Sequence, residues 1–149
     1  MRATELSKVE HQIWDAWRRT TDSVNARIES DLLAASGLSA PDFEVLFRLS
    51  ELGKGALHQH EIRRALGWEK SRLSRHLTRM EERGLVLRKG ARVSGSGAVE
   101  VSITVEGRKV LRAAKPHHGD AIRRHFLEAL SRADRAVLVR VLSKLDEDP

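Results

Sequence analysis

Between Lys70 and Arg79 the chain reads Lys-Ser-Arg-Leu-Ser-Arg-His-Leu-Thr-Arg, so arginine and short hydroxyl side chains alternate with leucine. On a helix, at about 100° per residue, Leu73, Leu77 and Met80 share one narrow face. Ser71, Arg75, Thr78 and Arg79 fall opposite, with Arg72 on the flank and Glu82 on the same side at the far end. Arginine offers a planar fork of donors that fits a guanine edge or a phosphate, and small hydroxyls let a backbone come close. That is the chemistry of reading an anionic, hydrogen-bonding polymer. The charge is placed to match. Residues 58–92 hold ten basic side chains (Arg63, Arg64, Lys70, Arg72, Arg75, Arg79, Arg83, Arg88, Lys89 and Arg92) against Glu61, Glu69, Glu81 and Glu82. This stretch therefore carries the whole formal net charge of +6, and the rest of the chain sums to zero. A surplus confined in this way suits a polyanion. The plainer alternative is a solvated helix laced by ion pairs such as Glu82 to Arg79.

Other chemistries lack the residues they need. With no cysteine there is no disulfide, thiolate metal site, cysteine nucleophile or cysteine-based peroxide sensor. Gly-x-Ser-x-Gly, a phosphate loop, His-Glu-x-x-His and a paired-carboxylate spacing are all missing, so neither an enzyme nor a cofactor is expected. Of seven histidines only His58 with His60, and His117 with His118, lie close in sequence. Adjacent histidines on a helix diverge by about 100° and rarely hold one ion, so no metal site is expected. No apolar run approaches the roughly 18–20 residues of a membrane span, and the N-terminus lacks the apolar core of a secretory signal. The expectation is a soluble, cytoplasmic protein without membrane contact.

To present its reading face, the run at 69–83 must be one helix of a larger frame. It ends at Gly84 and follows a short helix over 59–66, which offers Ile62, Ala65 and Leu66 to a core and ends at Gly67. Two helices joined by a short glycine-containing turn form a helix-turn-helix. Residues 85–89 and the alternating Val99, Val101 and Ile103 then read as two strands around a Gly/Ser-rich tip at 90–97, which completes a winged helix. Upstream, Ser39, Pro41 and Asp42 mark the capped start of an apolar core helix that stops at Gly53, with 53–55 as a turn.

Apolar residues at Leu6, Val9, Ile13, Trp17, Val24, Ile28 and Leu32 predict a first helix over about 4–36. At ~1.5 Å per residue it would span ~48 Å, against ~38 Å for a compact globule of this length. Either it kinks or a second chain covers it, and a second chain is the preferred reading. After the wing, Thr104 opens a helix containing Pro116, where a kink or break is expected. A last helix follows Ser131, with Val137, Leu138, Val141, Leu142 and Leu145 on it. The expected fold class is mainly α with a small β part. It comprises a single domain over 1–149, a winged helix-turn-helix over about 39–104 with a two-stranded wing, and dimerisation helices over about 1–36 and 105–149. Leu6, Val9, Ile13, Trp17, Leu138, Leu142 and Leu145 are the expected dimer contacts.

The run Trp68-Glu69-Lys70-Ser71-Arg72-Leu73-Ser74-Arg75-His76-Leu77-Thr78-Arg79-Met80-Glu81-Glu82-Arg83-Gly84-Leu85-Val86, preceded by Leu66-Gly67 and followed by Thr104-x-x-Gly107, resembles the MarR family of bacterial transcription regulators. More narrowly it is similar to an actinobacterial branch in which Trp-x-Lys-Ser-Arg-Leu opens the recognition helix. The resemblance covers nearly the whole chain, with generic terminal helices. It implies a homodimer of triangular outline on a pseudo-palindromic operator in double-stranded DNA, most members being repressors that a small anionic or aromatic effector releases. By position Ser71, Arg72, Arg75 and Arg79 correspond to groove-contacting residues. With the reading face this gives Lys70, Ser71, Arg72, Ser74, Arg75, Thr78 and Arg79 on the helix, and Arg88, Lys89 and Arg92 on the wing. The family's Asp-x-Arg wing tip is replaced by Arg92-Val93-Ser94-Gly95-Ser96-Gly97-Ala98, in which Arg92 stands nearest to the expected arginine. Trp14 and Arg18, four apart, resemble a Trp-x-x-x-Arg pair that lines the ligand pocket in urate-type relatives; core packing of Trp14 and Trp17 is the alternative. The expected function is a sequence-specific, ligand-responsive repressor. A nucleoid-type binder of low specificity and a module that docks an acidic protein are the other readings.

Overall fold

Ser39 opens the helix on which the core is built. Its hydroxyl accepts from the Asp42 N–H at 3.2 Å while the Asp42 carboxylate accepts from the Ser39 N–H at 3.1 Å, a reciprocal cap that satisfies two of the helix's unpaired donors. The structure is a computed structural model that describes residues 4–90 and 98–146, and the chain divides into two compact units.

The first unit, Leu32–His117, takes in the end of α1 (Lys8–Ser36), all of α2 (Ala40–Glu51), β1 (Ala56–His58), α3 (Gln59–Leu66), α4 (Lys70–Glu82), β2 (Val86–Lys89) and β3 (Glu100–Ile103), and the start of α5 (Val105–Ile122). Its core is contributed by Val45, Leu46 and Leu49 of α2, Ile62 of α3, Leu73, Leu77 and Met80 of α4, and Val86 and Val101 of the strands, all fully buried. On α3 the expectation is met by Ile62 alone: Leu66 is half-buried and Ala65 exposed, because a helix of eight residues turns only one narrow stripe inward.

The winged helix-turn-helix is present with its two-stranded wing, β2 paired with β3, and a further strand joins it, so that among the described residues the antiparallel sheet runs β1-β3-β2. Val101 pairs with Leu57 on one side and Arg88 on the other. The added strand is three residues long, too short to show an alternation of its own. It follows Gly55, whose φ of 109° is open to glycine and strained for other residues. Thr104 locks the far end: its hydroxyl donates to Gly84 O at 2.6 Å and accepts from the Gly107 N–H at 2.9 Å. A Cβ at Gly107 would collide with the Leu85 carbonyl oxygen, so that glycine is required by close approach.

The second unit combines Met1–Asp31 with His118–Pro149. It holds most of α1, a π-helical turn at Arg123–Leu127 and α6 (Arg132–Asp146). α1 starts at Lys8, a turn later than expected, because Ser7 and Glu10 cap each other's backbone N–H at 2.7 and 3.3 Å. It is one uninterrupted helix of 29 residues. The irregularity expected near Pro116 arises further on: α5 continues through Pro116 to Ile122, and the π turn follows it. Asp31 accepts from Arg124 at 2.8 Å and pairs with the His125 imidazole at 2.7 Å, which ties α1 to that turn. No helix among the described residues is long and apolar enough to cross a membrane.

Candidate nucleic-acid interface

Burial of Leu73, Leu77 and Met80 fixes which way α4 faces. Lys70, Ser71, Arg72, Arg75, Thr78 and Arg79 are exposed on it and Ser74 is half-buried, so the structure gathers the seven helix residues onto one accessible side. Lys89 is exposed at the end of β2, and Arg92 lies outside the described residues. Glu69 occupies the N-cap without a side-chain cap bond.

The cations of this face are held in different ways. The Arg72 guanidinium lies 4.1 Å from the Trp68 ring centroid, a cation–π contact that keeps the side chain flat against the helix start. Arg79 donates to the Nδ1 of His76 at 3.2 Å. The Arg75 side chain makes no hydrogen bond or ion pair among the described residues. The pair Glu82 with Arg79, expected of a merely solvated helix, does not form among them.

Arg88 departs from its expected role. It is only one-fifth exposed and turns away from solvent onto α4. Its guanidinium donates to Thr78 Oγ1 at 2.8 Å, Ser74 O at 3.3 Å and Glu81 Oε1 at 3.3 Å. Its backbone N–H donates to Glu81 Oε2 at 2.8 Å. Arg88 thus braces the wing against the reading helix, with its charge offset by Glu81.

Two residues escaped the sequence reading. His76 is buried beside Leu73 and Leu77, its ring meeting Trp68 edge-on at 5.5 Å. Asp42 is buried too, and beyond capping α2 it accepts from Arg83 at 2.7 Å, 41 residues away. Burial pushes the Asp42 carboxyl up, but the close His76 imidazole and hydrogen bonds from Arg83 and the Ser39 backbone outweigh it and hold the group well below the usual carboxylate range. The signal for Asp42 was present as the cap; nothing local pointed to its second partner.

The second unit holds an apolar groove of about 670 Å³ whose lining includes Trp17, Val24, Ile28, Phe126, Leu138 and Leu142. Leu6, Val9, Ile13 and Leu145 are exposed in the single chain. Trp14 is half exposed and Arg18 pairs with Asp15 at 3.8 Å; neither lines the groove, whereas Trp17 does. Core packing therefore does not describe Trp14 in this chain. The His58 and His60 rings stack at 5.6 Å, and among the described residues no three His, Asp or Glu side chains gather as a metal site would require.

A family profile described as MarR family matches residues 36–95. The chain is 30% identical over 142 residues to the transcriptional regulator HosA of Escherichia coli O157:H7, covering 95% of this chain and 97% of that one. Its fold is similar to that of AbsC, a MarR family transcriptional regulator from Streptomyces coelicolor, with a TM-score of 0.85, 29% identity and 97% of each chain covered. It is also similar to Sco3205, a MarR family transcriptional regulator of the same organism solved in complex with DNA. There the TM-score is 0.87 at 23% identity, over 99% of this chain and 93% of that one.

Proposed function

Because the chain belongs to the MarR family of transcriptional regulators, a family of regulators rather than enzymes, we propose that it is a sequence-specific repressor that binds a pseudo-palindromic operator in double-stranded DNA as a homodimer. The observation that carries this reading is Arg75, exposed on the outward face of α4 with no acceptor among the described residues. A guanidinium left without an acceptor, between neighbours that are braced, is poised for one supplied from outside, and a guanine edge takes it bidentately. Lys70, Ser71, Arg72, Ser74, Thr78 and Arg79 complete the contact on the helix, Lys89 meets a phosphate from the wing, and Arg92 is the candidate for the wing-tip arginine.

The proposed dimer rests on the apolar side chains left bare on the second unit. Val9 and Ile13 of α1 are 62% and 65% exposed, and Leu145 of α6 is 71% exposed. A second copy laid over them, with Leu6, Trp17, Leu138 and Leu142, removes that surface from water. The two recognition helices are then set about one duplex turn, ~34 Å, apart. A small anionic or aromatic effector, with Trp14 and Arg18 as its candidate contacts, would release DNA by changing that spacing. The single-domain organisation and the cytoplasmic location belong to the same proposal.

Selection of bound fragments from genomic DNA, followed by competition against random duplex, tests the reading. A specific regulator recovers a motif with two-fold symmetry and prefers it by at least ~10³. Retention without a motif supports the nucleoid-type alternative, in which the arginines meet only phosphates. No retention at low salt leaves the acidic-protein module.

A further inference from the structure

His76 lies three residues before Arg79 on α4 and is buried, so it touches no external ligand. Its two ring nitrogens face opposite partners. Nδ1 lies 3.2 Å from an Arg79 guanidinium nitrogen, and Nε2 lies 3.0 Å from Asp42 Oδ1, close but short of good hydrogen-bond alignment. A guanidinium nitrogen can only donate, so Nδ1 must be the acceptor and the ring proton of a neutral imidazole sits on Nε2, facing the carboxylate. Asp42 cannot swing away: the Ser39 backbone and Arg83 hold its other oxygen at 3.1 and 2.7 Å. The Trp68 ring closes the imidazole's edge at 5.5 Å.

We propose that His76 is a positioning residue for DNA reading: its Nδ1, on a ring packed between Asp42 and Trp68, holds the exposed guanidinium of Arg79 and so sets which base edge Arg79 meets. Among the described residues Arg79 has no carboxylate partner, so this imidazole is what orders its head group. An ordered arginine distinguishes one base edge from another, whereas a mobile one distinguishes only charge. The inference rests on Arg79 contacting DNA, as proposed above.

Three variants separate the two nitrogens. In His76→Asn the amide oxygen can take the place of Nδ1, so the acceptor for Arg79 is kept. In His76→Gln the amide reaches the place of Nε2, so the contact with Asp42 is kept and the acceptor is lost. His76→Leu lacks both. With the full chain, affinity is measured for a duplex carrying the selected motif and for a random duplex of equal length, and circular dichroism checks that each variant is folded. His76→Asn should keep the wild-type ratio of the two affinities within about twofold. His76→Gln and His76→Leu should lower it about 3- to 10-fold, the worth of one net hydrogen bond, with binding to random duplex unchanged. In an Arg79→Ala background, His76→Gln should lower it no further. A full ratio in His76→Gln, equal losses in Asn and Gln, or losses that add in the Arg79→Ala background would each overturn the assignment. If Arg79→Ala itself keeps the ratio, the base-contact reading of Arg79 fails and this inference falls with it. If Arg79→Ala lowers the ratio and His76→Gln does not, only this inference fails.

Discussion

Replacing Arg88 by alanine distinguishes a brace from a phosphate contact. The substitution removes a bond of 2.8 Å to Thr78 Oγ1 and two of 3.3 Å to Ser74 O and Glu81 Oε1. Hydrogen bonds of a charged donor contribute about 1.5–3 kcal/mol each when short and sheltered. Two of the three are long, and Glu81 is one-third exposed, so water and the Arg88 N–H can still satisfy its carboxylate. The net loss is therefore about 2 kcal/mol, close to that of a single well-made charged bond. For a chain near 150 residues this lowers Tm by about 4–8 °C. Lysine at the same position keeps the charge but cannot reach three acceptors in a fork, so Arg88→Lys should recover less than half of that loss. Lys89→Ala, by contrast, removes an exposed cation and should leave Tm within about 1 °C. It should flatten the dependence of log K on log salt by about 0.9, the effect of one phosphate contact. Calorimetric melting and a salt titration of DNA binding give both readouts. If Arg88→Ala melts with the parent while its salt slope falls by about 0.9, the brace is wrong and Arg88 meets phosphate.

Arg75→Ala should cost about 1–3 kcal/mol on the selected site and relax base preference at one position in each half-site; unchanged operator affinity in competition binding would reassign the reading face. Asp42→Asn should lower stability by about 2 kcal/mol at pH 7. The folded Asp42 carboxyl titrates below its unfolded value near 3.9, so the stability it adds is complete above about pH 4 and is lost as pH falls through the folded value. The gap between parent and Asp42→Asn in urea unfolding should accordingly narrow below pH 4, and a constant gap from pH 7 to 3 refutes the network. Ile13→Glu, which places a charge among the bare side chains of α1, should convert a species of twice the chain mass in light scattering into one of single mass. A parent that already runs at single mass refutes the dimer.

Periodicity made the elements legible and left the pairings hidden. A 3.6-residue repeat says which face of α4 is apolar, and Leu73, Leu77 and Met80 are buried as that repeat requires. Capping signals are equally local: Ser39 with Asp42 caps its helix as read, and Ser131 with Asp134 caps the last helix in the same way. β1 escaped because three residues cannot display an alternation, and its partner β3 lies 42 or more residues along the chain. His76 escaped because histidine is at home on either side of an interface, so type and spacing leave its direction open. Arg83 and Arg88 sit in the basic block, yet each turns to a carboxylate in the fold. No rule of local spacing selects such partners.

These pairings change what the charge count means. A surplus of six over residues 58–92 suggests a face on which every cation is available to phosphate. In the fold, Arg83 is bound to Asp42 and Arg88 to Glu81, while Arg79 on His76 and Arg72 on Trp68 are held in place with their charge uncompensated. Part of the positive charge is therefore invested in rigidity, holding the reading helix against α2 and the wing while Arg75 remains uncommitted. Counterion release depends only on the cations that meet phosphate, whereas discrimination between bases depends on how firmly the few reading groups are held. A face built in this way should show a salt dependence weaker than its charge suggests and a specificity stronger. A nucleoid-type binder, with all its arginines loose, would show the opposite combination.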